Sequence, residues 1–303
     1  MNTKTLQSSG KSRRTCVTSL IAVLVCGLAG VLNAQDFEIK IARPSKVGDT
    51  YGIESKGSLE QRIAITVDGE AVPPQNEITS AVLKAKVEVL AVTALGKESK
   101  ARFTVASLAK IEDGKAEEVL PAGTVVIGER RGAKTEFTVA DSPAEPEIAK
   151  LLNVVITLVQ DNKQDVDDDV IFGTKERQKI GGTWPVNADA ASKDLALKYE
   201  LKVAPKNISG TVTLVEKTKD GLDIHSTMEL KEVGLPLPPG MITKASNFKM
   251  QLGGVLPLDL TKPEVSESMT MEGSVECAGQ SGGKDLTMVL TLKGMNQISF
   301  TGP

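Results

Sequence analysis

The sequence predicts a mostly β, antiparallel fold: a strongly curved sheet or incomplete barrel built from two similar halves, with one amphipathic helix between them. Three observations predict it. Apolar and polar residues alternate with period two over most of the chain, Gly-containing turns separate the alternating runs, and a short sequence pattern occurs twice.

The alternation is plain in three runs. Phe37, Ile39 and Ile41 alternate with Glu38 and Lys40, and Leu83, Ala85, Val87 and Val89 with Lys84, Lys86 and Glu88. Leu286, Met288, Leu290 and Leu292 alternate with Thr287, Val289 and Thr291. Side chains of a strand point to opposite faces in turn, so each run reads as a strand with one face on a core. Asp68-Gly69, Leu95-Gly96-Lys97, Asp113-Gly114, Arg131-Gly132, Asp220-Gly221 and the Gly279–Gly283 stretch mark the turns. Short turns between such runs imply hairpins.

One segment has a different period. Ser142-Pro143-Ala144-Glu145 reads as a helix start, with Ser as N-cap, Pro at the first helical position and Glu at the third. Ile148, Leu151, Leu152, Val155, Leu158 and Val159 follow at spacings of three and four, which predicts a helix over 143–159. The β-branched run Val154-Val155-Ile156 weakens its end.

The repeated pattern is Lys, β-branched, Gly, any residue, Thr, aromatic. It occurs as Lys46-Val47-Gly48-Asp49-Thr50-Tyr51 and as Lys179-Ile180-Gly181-Gly182-Thr183-Trp184. Downstream, Val87-Glu88-Val89 with Thr93 and Gly96 matches Val212-Thr213-Leu214 with Thr218 and Gly221. An internal duplication is the simplest reading. The expected division is a leader at 1–34, a first β half ending in a helix at 35–160, and a second β half at 161–303. The acidic stretch Asp161–Asp169 reads as a solvated linker between the halves.

The first 34 residues have the order of a signal peptide: Lys11, Arg13 and Arg14, an apolar run from Cys16 to Leu32, then Asn33 and Ala34. The expected location is therefore periplasmic or extracellular. Retention of the segment as a membrane anchor is the alternative, since the run is long enough to span a bilayer. The leader carries four of the 36 Lys and Arg residues and none of the 39 Asp and Glu, so the remainder is net acidic by about seven charges. An acidic surface repels phosphate backbones, which argues against nucleic acid as a partner. Cys277 is the single cysteine after residue 34, so the fold must rest on its core rather than on an internal disulfide.

The residue inventory argues against familiar catalytic and metal sites. An EF-hand loop from Asp161 would need an oxygen ligand at Lys163, Gly at Val166 and Glu at Phe172. His225 is the sole histidine, no serine sits in a Gly-x-Ser-x-Gly turn, and Asp285 stands where a phosphate loop ending in Gly283-Lys284 needs Ser or Thr. No cofactor is expected. A hydrolase would need two carboxylates, or a Ser-Lys contact, inside one pocket.

The most suggestive residues are apolar. Met269, Met271, Gly273, Val275 and Cys277 share one strand face, and Met288 and Leu290 lie in another alternating run. Met adapts to irregular apolar shapes, so Met269, Met271, Val275, Met288 and Leu290 are candidates to line a cavity for an apolar ligand. An ordinary core is the competing reading.

The leader, the hairpin series, the helix and the Lys-Ile-Gly-Gly-Thr-Trp signature at 179–184 resemble secreted bacterial proteins of unknown function with that signature. In outline they are also similar to periplasmic lipoprotein carriers, which have an incomplete β-barrel and a helical lid. That resemblance implies a helix near 143–159 closing the open side of the barrel. The expected function is a non-catalytic binding or structural module of the cell envelope, whose partner is an apolar small molecule or an envelope protein. A carrier of a lipid-like ligand and a hydrolase are the alternatives.

Overall fold

The computed structural model describes residues 35–132, 134–161 and 165–302. The expected leader and residues 162–164 of the acidic stretch lie outside the described residues. The first half runs through β1 (Thr50–Val67), β2 (Glu70–Val92), β3 (Glu98–Glu112), β4 (Lys115–Leu120), β5 (Val125–Arg131), β6 (Lys134–Val139) and β7 (Ser142–Pro143). Helices α1 (Pro146–Val155) and α2 (Asp168–Phe172) follow. The second half contains β8 (Thr183–Pro185), helix α3 (Ala188–Tyr199), β9 (Ile208–Lys217), β10 (Leu222–Lys231), β11 (Met241–Leu256), β12 (Ser266–Ser281) and β13 (Lys284–Thr301).

All the strands belong to one antiparallel sheet. Its order is β7-β6-β5-β3-β2-β1-β13-β12-β11-β10-β9-β8, with β4 paired to β3 off this path. Two hairpin meanders thus lie side by side, joined where β1 pairs with β13 from Gly52 opposite Thr301 to Val67 opposite Leu286. The short strands β7 and β8 are the two edges, so the sheet is not closed.

The turns form as their residues dictate. Asp68-Gly69 and Asp113-Gly114 both hold two successive positive φ angles (51° and 85°, 50° and 73°). That is the mirror-image turn whose twist suits a two-residue hairpin. The two hexamers also fold alike. Gly48 and Gly181 adopt φ of 92° and 82°, and their N–H groups donate to Val89 O (2.9 Å) and Leu214 O (2.7 Å). Each then opens a strand, Tyr51 pairing with Val87 and Trp184 with Val212. The hydroxyls of Thr93 and Thr218 cap the next hairpin in each half by accepting from Leu95 and Asp220 N–H.

Register sorts the side chains into two unlike faces. On the outer face Glu60, Lys293, Glu272, Lys249 and Glu229 stand opposite one another across five adjacent strands. Opposite charges at directly facing positions contribute roughly 0.2–1 kcal/mol each and penalise a slipped register. A membrane β-barrel turns its apolar side chains outward; this sheet turns charge outward. Among the described residues no helix is long and apolar enough to cross a membrane.

The inner face carries two apolar clusters. One joins β9–β12 to α3, Ile171 of α2, and Phe37 and Ile39 of the N-terminal segment. The other joins β2, β3, β5 and β6 to α1. Helix α1 touches β1, β2, β13 and also β6, which only a curved sheet permits. It lies so close that a Cβ on Gly57 would meet Val154 O at 1.7 Å. The Ser55 hydroxyl donates to Val155 O (2.7 Å) and Asn296 Nδ2 to Val154 O (3.0 Å).

Three expectations need correction. The helix spans Pro146–Val155 and starts three residues later than expected: Ala140 and Asp141 take positive φ and fold Ser142-Pro143 back as β7. Glu145 and Pro146 occupy the N-cap and first helical position, and the β-branched run turns extended at Ile156. Secondly, α2 and α3 are additional helices. Asn187 caps α3 by accepting from Ala190 N–H, but its Ala-rich, weakly periodic sequence hid it. Thirdly, the end of the acidic stretch is not solvated linker, because Asp168 pairs with Lys97 (2.9 Å) and Asp169 with Lys40.

Gly57→Ala is expected to destabilise the fold by about 1–3 kcal/mol, since the backbone of α1 must move. Gly294→Ala, whose new Cβ meets nothing nearer than 3.8 Å, should be close to neutral. Urea denaturation of the two variants checks the pair. Equal stabilities would show that α1 does not seat on this face.

Candidate functional site

The five residues expected to line a cavity fall on one face. Met269 and Met271 of β12 point inward together with Val275 and Cys277, and Val275 faces Leu290 while Cys277 faces Met288 on β13. Beyond β13, Leu290 and Met288 face Ile63 and Ile65 of β1. Val275 and Cys277 are fully buried, whereas Met269, Met271, Met288 and Leu290 are half-exposed. Leu286 to Leu292 spans six residues at ~3.4 Å each, so the strip is ~20 Å long. It is an apolar strip of the inner wall, bordered by α1 at its Gly57–Asn296 end, and Met269, Met271 and Met288 pack along the edge of the second-half cluster.

Cys277 is an inert core thiol, pushed up in pKa by burial. His225 lies on the outer face beside Asp223 (3.1 Å), with its side chain 57% exposed. Trp184 is buried and donates its indole N–H to Phe172 O (2.7 Å), as a core anchor does. No group of three His, Cys, Asp or Glu side chains able to hold a metal occurs among the described residues.

Sequence reasoning missed the charged seam just beyond Met269, at the same end of the strip as Gly57 and Asn296. Glu267 stands two residues before Met269 on the same face of β12, opposite Ile298. Its residue is solvent-exposed, with protein atoms crowding the carboxyl. Burial raises its pKa, and the charges of Asp168 and Glu98 add to the rise. Burial together with the Glu267 charge pushes Glu264 up to about 8.

Its surroundings are polar. Arg43 donates to Lys40 O (2.6 Å), Ala42 O (3.2 Å) and Pro257 O (3.3 Å), while its Nε is buried without a partner. Tyr51 donates its hydroxyl to Glu98 (2.7 Å), which also accepts from Ser45 (2.8 Å). Burial raises the Glu98 pKa against these donors. A shallow cavity of about 500 Å³ lies apart from the strip, between Leu95, the 165–170 segment and the start of α3.

Farther along the seam, Asp194 and Lys198 form an inward ion pair at 2.9 Å with side chains 13% and 19% exposed. Arg130 donates to Lys198 O (3.2 Å) and so ties β5 to α3. Burial holds the Asp194 pKa above its ordinary value. Lys198 stays above its own because Asp194, Asp168 and Asp165 outweigh the cost of burial. Removing one partner of such a pair leaves an uncompensated charge inside. Lys198→Met should therefore cost about 3 kcal/mol, and adding Asp194→Leu should restore most of it. Chemical denaturation of the single and double variants checks this. A single variant as stable as the parent would contradict a paired interior charge.

No family model matches this chain, and no curated protein matches it. A lipovitellin structure, described under lipid–protein interactions, is similar at 8% identity over 87% of this chain, with a TM-score of 0.32. The match covers 26% of the lipovitellin chain, so this chain spans about a quarter of that protein's length. The OpdQ structure from Pseudomonas aeruginosa is similar at 8% identity over 83% of this chain and 98% of its own, with a TM-score of 0.19.

Proposed function

We propose that this chain is an exported, non-catalytic binding module whose inner face takes up the apolar part of a small amphiphile such as a lipid. One observation carries the reading. The inner face of β12, β13 and β1 keeps a strip of Met, Leu and Ile side chains half-exposed, while the outer face of the same strands is charged. Soluble proteins seldom leave a contiguous apolar patch without an occupant. Each methylene moved from water onto such a surface contributes about 0.8 kcal/mol, so ten of them supply about 8 kcal/mol before ordering costs. Met269, Met271 and Met288 can repack around chains of different shape.

Glu267 stands opposite Gly254 and Ile298 on the inner face, and its charge raises the Glu264 pKa; these are the two carboxyls a hydrolase would use. The matching hexamer turns and Thr-capped hairpins support descent of the two halves from one duplicated meander. The leader-like order of residues 1–34 supports export.

The alternation supplies an internal control, because neighbouring residues of β13 face opposite ways. Leu290→Asp puts a charge on the strip, whereas Val289→Asp puts one on the outer face. Binding of a fluorescent long-chain acyl probe should weaken at least tenfold in the first variant and stay unchanged in the second. Both should keep the parent's circular dichroism. Equal affinity in the two variants, or no binding by the parent, would overturn the reading.

A further inference from the structure

Two residues of the inner wall are more deeply buried than their neighbours. Val275 and Cys277 of β12 are 0% exposed, although Leu290 and Met288 beside them on β13, and Ser246 and Thr243 on β11, are half-exposed. The segment that joins β10 to β11 passes over them, as its two ends show. At its start Glu232 N–H donates to Ser246 O (3.1 Å), and the Ser246 hydroxyl accepts from Val233 N–H and donates to Val233 O (3.1 Å). Ser246 faces Val275 across the ladder and so shares the inner face with it. At its end Gly240 lies so close to Gly279 that a Cβ there would meet Gly240 O at 1.9 Å, and Gln280 N–H donates to the same oxygen (3.3 Å). Cys277 lies between these two anchor points. Val275 and Gly279 are ~14 Å apart along the strand, and the chain from Gly234 to Gly240 reaches ~20 Å when extended.

We propose that residues 234–240 form a hinged apolar flap that closes over Cys277, at the end of the strip away from α1, and swings out to admit the chain of the ligand.

Both ends of the flap are tied. Gly234 exchanges hydrogen bonds with Lys202 (2.8 and 3.0 Å), and Gly240 is held by Gln280. Between them, Leu235-Pro236-Leu237-Pro238-Pro239 has three prolines and so offers only two backbone N–H donors. Among the described residues no hydrogen bond joins 235–239 to the rest of the sheet; Met241 N–H to Pro238 O (3.2 Å) closes the turn into β11. What holds the middle down is Leu235 and Leu237, which pack, half-buried, against the cluster that contains Val275 and Cys277.

Lifting the middle therefore breaks no hydrogen bond to the sheet and costs only apolar contact, which the chain of an amphiphile restores on the same surface. The prolines keep the lifted segment extended. Gly240, at φ 88°, supplies a hinge conformation that other residues resist. The entry of a ligand rests on the binding reading above; the closure over Cys277 does not.

Cys277 is the reporter for the test, in the full chain with Cys16→Ser and Cys26→Ser so that it is the sole thiol. Labelling by an aromatic disulfide reagent should be slow in this parent. It should be at least about tenfold faster once Leu235→Ser and Leu237→Ser remove the apolar hold. Equal rates would overturn the flap. If the double variant does not fold, the urea dependence of labelling in the parent decides. A rate nearly flat below the unfolding transition marks local opening and supports the flap, whereas a rate that rises with the full slope of global unfolding overturns it. A fluorescent long-chain acyl probe separates closure from entry. It should bind the parent and slow Cys277 labelling. Binding that leaves labelling unchanged would overturn entry beneath the flap. Faster labelling in the double variant with no probe bound by the parent would remove the ligand and keep the closure.

Discussion

A sheet of this width has two faces, and only one of them can be left to water. Everything else in the fold answers that constraint. Period-two alternation sends Glu60, Lys293, Glu272, Lys249 and Glu229 outward in a row and Met269, Met271, Val275, Met288 and Leu290 inward. The inner face must then be covered, and the three α-helices among the described residues are short. Helix α1 covers β1 and β2 near Ser55 and Gly57, while α2 and α3 cover the strands of the second half. What they leave is the strip along β12, β13 and β1. The proposed binding function is thus a consequence of architecture: a curved sheet too large for its own helices keeps an apolar wall in reserve.

The same geometry explains why charge is found inside. The two apolar clusters belong to different halves, and where they approach one another the chain places ion pairs rather than more hydrocarbon. Asp194 lies against Lys198 and Asp168 against Lys97, and the Glu98 carboxylate accepts from the Tyr51 hydroxyl. Buried pairs of this kind add little net stability, but breaking one is costly, so they fix which surfaces meet.

Much of the fold was legible because its signals are local. Asp68-Gly69 and Asp113-Gly114 demand mirror-image turns wherever they occur, and Leu83 to Val89 can only divide into two faces. His225 on the outer face and Cys277 in the core followed from position within a strand. The failures were non-local. Asp168 and Asp169 looked solvated because their partners Lys97 and Lys40 lie 71 and 129 residues away. Ser142-Pro143 looked like a helix start because nothing local shows that Ala140 and Asp141 bend the chain back onto β6. Helix α3 has a good N-cap in Asn187 but too few apolar residues for its period to stand out. One miss was avoidable. Glu267 is in phase with Met269 and Met271, so extending that alternation back by two residues would have put a carboxyl on the inner face.

The central claim is that the apolar wall has an occupant. The most direct measurement is native mass spectrometry of the protein isolated from the cells that make it, under conditions that keep non-covalent ligands. A mass in excess of the polypeptide that is released by organic solvent and identified as an amphiphile is the predicted result. The bare polypeptide mass in every charge state, from protein that also ignores added long-chain lipid, would contradict it.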